Sequence, residues 1–474
     1  MRNILHTNAS MQDKRPRQEP FARVAPILAA ALLLGAGGGF VLASILTLTR
    51  SLSVPLGPWW PAMAQAHGHL QLYGWAGLFL LGVSFHFLPR LRGTPLAMPR
   101  LLPWLLGTLV TALVLRMLCQ PLLATLNTSI LRVGFIVSGA AECVALVGMI
   151  ALLGITARRG PSLATRPAFT STLPLMVGAF VSLGFACIVN LANTVQAVTS
   201  GGLVAATGDD LNVSLGLLGF LVPMALAMSA RSLPMYAGLE GFPNHILRPL
   251  AVAYFVGLLL LCVGILTVPA ANWLQGLGMT LLGGALLCFI GVFLRLMRSR
   301  GRLPQKVAKL APQPEAVAQS YKKQVSHERN AYGPFVALVA SAYMWAMLGG
   351  VLLVSNGLTL LIQGAPLFAL DAMRHSLAVG FIALLICGIA PRMIPGFSGG
   401  TIASARLVTA TLWLGNIAAI LRVGSLLADP LLATYGTVGQ TIDAVAFGLS
   451  GPIGLALAIC LAVNLWPTLK LRHI

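Results

Sequence analysis

The sequence predicts an all-α integral membrane protein with about twelve transmembrane helices in three pseudo-repeated four-helix units. Three observations predict it. The 474-residue chain is 57% hydrophobic and only 9% charged, a balance that water-soluble globules do not show. Its apolar runs reach the roughly 20 residues that a helix needs to cross a bilayer. In lipid such runs must be helical, because the backbone has no other hydrogen-bond partner than itself. Finally, one pattern of His, Gly, Pro and Arg recurs along the chain.

The pattern opens at His67-Gly68-His69-Leu70-Gln71-Leu72-Tyr73-Gly74-Trp75. Counted from His69, fixed steps reach Gly74, Gly82, Pro89 and Gly93. The same steps from His375 reach Gly380, Gly388, Pro395 and Gly399, and from Ser214 they reach Gly219, Ala227, Pro234 and Gly238. A longer step leads from His69 to Arg116 and from His375 to Arg422, but from Ser214 to Leu261. With 50 glycines in the chain, one Gly match means little; the joint agreement of His, Pro and Arg means more. Internal repeats in a membrane chain place sites between the repeated units.

Taken in order, residues 1–23 read as a basic cytoplasmic tail, and 24–48 as a retained first anchor, too long for a signal-peptide core. Further spans follow at about 67–88, 101–123, 132–156, 170–198, 211–229, 249–268, 273–297, 332–354, 369–390, 402–424 and 440–466. They divide into a first unit, 24–168, a second, 169–298, and a third, 332–474, with a flexible basic linker at 299–331 lying near anionic lipid.

Lys and Arg set the orientation. Arg90, Arg92, Arg100, Arg158, Arg159, Arg231, Arg248, Arg392 and Arg406, together with the tail, the linker and the C-terminus, fall on one side. The opposite loops hold Arg50 with Asp209, Asp210 and Asp429. Both termini are therefore expected in the cytoplasm. The formal charge of +20 is then a topology signal and calls for no nucleic-acid partner. The seven Cys form no Cys-x-x-Cys and no Cys-x-x-Cys-His, which argues against structural zinc and covalently attached haem.

Polar groups inside spans are costly and default to functional sites. His67, His69 and His375 are expected near the outer ends of spans two and ten, and Arg116 and Arg422 in the outer half of spans three and eleven. Arg132, Arg374, Asp371 and Asp443 fall at the same level, as do Asn190, Asn193 and Thr194, whose spacing puts them on one helix face. Glu142 is the deepest carboxylate. Plain alternatives stand beside this reading: His86 as an interfacial or hydrogen-bonded side chain, Arg132 as a snorkelling cation, the Asn side chains as glue between helices. His67 and His69 lie about 200° apart on a regular helix. One can ligate while the other orients a neighbour or holds a second metal.

Two neutral imidazoles facing one another across a bundle suit haem iron, and Arg suits its propionates. The repeat heads His69 and His375 are the expected ligands of a non-covalent b-type haem, with Arg116 and Arg422 as anchors and Arg374 assisting. Imidazole also suits copper, so His67, His69 and His375 are the candidate metal ligands.

The stretches His67–Trp75, Ser229-Ala230-Arg231-Ser232-Leu233-Pro234 and Arg374-His375-Ser376-Leu377-Ala378-Val379-Gly380 resemble the NnrS family. Its members are bacterial inner-membrane proteins reported to carry haem and copper and associated with the response to nitric oxide. That family's first motif reads His-Ala-His-Glu-Met, where this chain has Leu70 and Gln71 after the second His, so the number of metals stays open. The first motif is also similar to the second helix of haem–copper oxidase and nitric oxide reductase catalytic subunits, which hold a low-spin haem by His on helices two and ten. The His-Pro-Glu-Val-Tyr stretch, the adjacent His-His pair and the paired His of helix ten are missing here, which leaves their copper centre without donors. The resemblance implies a haem protein of nitric oxide defence or a linked redox step, with nitric oxide as a small diatomic ligand. The rivals are a quinol-linked oxidoreductase, with Glu142 on its proton path, an anion transporter, and an assembly protein. The sequence names no redox partner.

Overall fold

A computed structural model describes residues 19–163, 170–237, 239–298 and 314–470. Most of the expected tail at 1–23, and the first part of the expected linker, lie outside the described residues. Among the described residues, eleven helical stretches are long and apolar enough to cross a membrane. The last, Ala405–Leu469, turns at Ala433–Tyr435 into two helices packed along each other. Twelve crossings result: α1 Ala25–Ser51, α2 Trp59–Arg92, α3 Pro99–Leu126, α4 Ser129–Arg159, α5 Leu173–Ala197, α6 Ala206–Ala237, α7 Asn244–Leu266, α8 Asn272–Arg298, α9 Phe335–Gln363, α10 Leu370–Ser398, α11 Ala405–Leu432 and α12 Gly436–Leu469.

Burial divides these helices into two classes. In α2, α6 and α10, 83%, 89% and 78% of the most apolar window is buried, against 61% or less elsewhere. These three are the helices that the repeated pattern heads, so they form the axis and the other nine surround it. The surrounding helices present isoleucine, valine and phenylalanine outward, among them Ile130, Val144 and Phe185, as an apolar solvent demands. Neighbouring units interlock through the packing of α12 along α1 and α8 along α9.

Each axial helix carries a π-helical stretch at the same place in the repeat: Leu70–Gly77 in α2, Ser214–Leu221 in α6 and Ser376–Ala383 in α10. A π turn bonds i to i+5 and is rarely longer than one turn; it concentrates at functional sites. The stretch in α6 packs against those in both α2 and α10, so the three meet at the centre. A fourth, Gly35–Gly39 in α1, lies against the one in α2. Here the glycines matter, since a Cβ on Gly35 would run into the Trp75 ring.

The expected flexible linker differs in its second half. Pro314–Tyr332 is a helix, rich in the strong helix formers Ala, Glu, Gln and Lys. It ends at Gly333, whose φ of 65° is a left-handed stop. Glu328 ties it to α10 by an ion pair with Arg392 at 2.9 Å, and the Arg392 guanidinium lies over the Tyr332 and Tyr236 rings.

Candidate functional site

At the end of the bundle where α2, α6 and α10 begin, helices α1, α2, α6, α10, α11 and α12 enclose a cavity of about 400 Å³. That is within the range of small-molecule and cofactor sites. Its walls are mostly apolar, from Phe40 and Trp75 to Val379 and Ile382, and its charged residues are Asp209, Asp371, Arg374 and Arg422.

Two imidazoles line it, His67 and His375. The Nδ1 of His67 lies 2.8 Å from the Gly39 carbonyl oxygen. A carbonyl only accepts, so Nδ1 carries the proton and Nε2 keeps its lone pair. The Nδ1 of His375 meets the Asp371 carbonyl at 2.9 Å and the Asp371 carboxylate at 3.1 Å, which fixes the same tautomer. Metal-binding histidines are held in this way, one ring nitrogen donating to an oxygen and the other left for the metal.

Asp371 also accepts from Arg422, through Oδ2 at 2.5 Å. The other terminal nitrogen of Arg422, Nη1, is buried and has no protein partner. The guanidinium rests on the Phe447 ring, 4.5 Å from its centroid. Arg374, at the cavity wall, pairs with Asp210 at 2.6 Å. Gln71, one turn beyond His67, lines the cavity with a buried, unpartnered Oε1.

His69 was expected to face His375 and does not line the cavity. It points the other way, with Nε2 2.8 and 2.7 Å from the two carboxylate oxygens of Glu142. Asn190 donates to the same carboxylate at 3.2 Å, and Arg116 donates to Asn190 at 2.6 Å. All four side chains are 5% exposed or less. Arg116 therefore belongs with His69, away from the cavity, and its guanidinium stacks on Phe135. The physical reason is the helix period: residues two apart cannot share a face, so α2 offers the cavity His67 or His69 and not both.

The repeat thus has a structural counterpart in each unit. In the third, Asp371 bridges His375 and Arg422; in the first, Glu142 and Asn190 bridge His69 and Arg116. In the second, Ser214 and Leu261 line a cavity of about 30 Å³, the size of one water site.

Other sequence candidates fall outside the cavity. Arg132 is exposed and bonds Asn127. His86 is buried and stacked on Phe397 at 3.8 Å, with neither ring nitrogen hydrogen-bonded, unlike the interfacial or hydrogen-bonded residue expected. Asn193 and Thr194 are buried on the face that carries Asn190, and Asn193 donates to Gly208. Among the described residues no group of three His, Cys, Asp or Glu side chains could hold a metal ion. Among the described residues copper would find such donors only in pairs, His69 with Glu142 and His375 with Asp371. Sequence reasoning missed the Gly39 carbonyl, the bridging role of Asp371 and the Gln71 amide. Only Asp371 had a signal, its spacing of four from His375.

Fold and cavity together define the class: an all-α, multi-span membrane protein with a ligand-sized cavity between its axial helices, walled by paired imidazoles and arginines. The chain is similar in fold to a haem–copper terminal oxidase dimer solved by electron cryo-microscopy, with a TM-score of 0.62, 94% of this chain and 83% of that one covered, and 11% sequence identity. No protein-family model and no curated protein matches the chain.

Proposed function

We propose that this chain is a haem protein of the bacterial inner membrane, both termini in the cytoplasm, with His67 and His375 as axial ligands. The cavity suits the group. It offers two bare Nε2 atoms, apolar walls and an Arg422 N–H that lacks a partner inside the protein. Arg422 and Arg374 would hold the propionates. A bound haem would supply a one-electron couple, and were both His67 and His375 to hold its iron it would suit electron transfer better than binding of a diatomic gas. Within the nitric oxide response that the NnrS-like motifs suggest, the reading is therefore a linked redox step.

The observation that carries this is the matched pair of histidines, each donating through Nδ1 and each open at Nε2, on one cavity. It is tested by the optical spectrum of protein purified after expression with ample haem. A low-spin haem spectrum supports it, and the lack of any haem band sinks it.

Gln71 favours a second reading, a quinol site. Its unpartnered Oε1 could accept from a quinol hydroxyl in the cavity that His67 and His375 also line. Haem-free protein that binds a soluble quinol, and loses that binding in Gln71→Leu, would favour this version.

A further inference from the structure

We infer that the buried His69–Glu142 pair is a positioning device that sets the rotation of α2 and so aims His67 into the cavity. This rests on the haem reading above. The part of α2 that holds both histidines, Trp59–His69, is only eleven residues long. Immediately below it the helix passes into the π stretch Leu70–Gly77. There the i→i+4 ladder gives way to i→i+5 bonds, which widen the helix and offset the rotation of the upper segment from the regular helix beneath.

What holds it is a set of side-chain bonds on opposite faces. Towards α1, His67 donates to Gly39 and Trp60 donates to Leu46. Towards α3, Gln65 meets Gln120 at 3.1 Å. On the face turned from the cavity stands His69, bonded at 2.7 Å to Glu142 of α4. Through Asn190 and Arg116 that bond reaches α5 and α3. It is the only one of these contacts made to a carboxylate, whose two oxygens both lie within hydrogen-bond reach of Nε2, and the pair is buried, 3% and 2% exposed. With His67 and His69 pulling in opposite directions, the rotation of the segment is determined, and neither alone suffices.

The same carboxylate-linked arrangement holds His375, but there Asp371 touches the ligand itself. In the first unit the carboxylate acts at one remove. Glu142, singled out in the sequence as a proton carrier, therefore serves geometry.

Haem-loaded protein is compared by electron paramagnetic resonance and optical spectra in wild type, Glu142→Gln, Glu142→Leu, and the triple change His69→Phe, Glu142→Leu and Arg116→Met. Glu142→Gln keeps an oxygen that can accept from Nε2–H and is expected to keep the wild-type low-spin signal. Glu142→Leu is expected to lose most of that signal to a high-spin form. If Glu142→Leu fails to fold, the triple variant decides, because replacing a buried charged network whole by apolar side chains is often neutral or stabilising, whereas loss of Glu142 alone strands the buried Arg116. It should fold, bind haem and still show the high-spin form. A low-spin signal unchanged in both Leu variants overturns the proposal and leaves the haem reading standing. Wild-type protein with no haem overturns both.

Discussion

His67 and His69 stand two residues apart on α2 and serve opposite faces, His67 bonded to Gly39 at the cavity wall and His69 to Glu142 in the buried first unit. About half a turn of helix thus separates an imidazole on the cavity wall from one committed to the fold. The division yields a direct test. His67→Ala should abolish the low-spin spectrum. His69→Ala should retain haem while its spectrum shifts, since its Nε2 is already engaged. The outcome is read from haem content per chain after purification in detergent.

Arg422 should contribute to holding the cofactor rather than to folding. Its Nη1 lacks a protein partner, and a charge-assisted hydrogen bond is worth about 1.5–3 kcal/mol. Arg422→Gln should therefore weaken haem retention by roughly ten- to a hundredfold. Arg422→Lys should recover only part of that, because an ammonium cannot bond Asp371 and a propionate in one plane. Competition of the loaded protein against apomyoglobin measures the loss.

The second unit supplies a control. Ser214 heads its copy of the repeat but opens on a water-sized cavity with Leu261. Ser214→Ala should leave both the spectrum and haem retention as in wild type.

The seam between α1 and α2 should be sensitive to volume. Gly35 has no room for a side chain against Trp75, and overpacking costs about 1–3 kcal/mol. Gly35→Ala should lower the thermal unfolding temperature in micelles, whereas the same change at Gly37, which has open space around it, should not.

Much of this architecture was legible in the sequence, because lipid enforces long apolar helices and the Lys/Arg pattern punctuates them. All twelve crossings overlap the expected apolar runs, although α2 begins at Trp59 rather than 67 and α9 runs on to Gln363 rather than 354. The repeat located the axial helices, since the steps from His69, Ser214 and His375 mark α2, α6 and α10. The same repeat pointed to the wrong histidine of α2 as the one on the cavity. It equated His69 with His375 along the chain, while facing is decided by rotation about the helix, which one residue of π-helical slack can shift. Arg116 followed His69 for the same reason. Glu142 and Asp371 were visible as buried-depth carboxylates, but which imidazole each one would meet depends on packing between helices far apart in sequence. The connecting helix Pro314–Tyr332 was masked by its prolines and charge, although its residues are good helix formers.

The most direct test of the central claim is the low-spin haem spectrum of purified protein, recorded for wild type beside His67→Ala and His375→Ala. The account predicts a six-coordinate low-spin spectrum in wild type that each single change abolishes. A wild-type spectrum that survives His67→Ala, or a wild-type protein without any haem absorption, would contradict it.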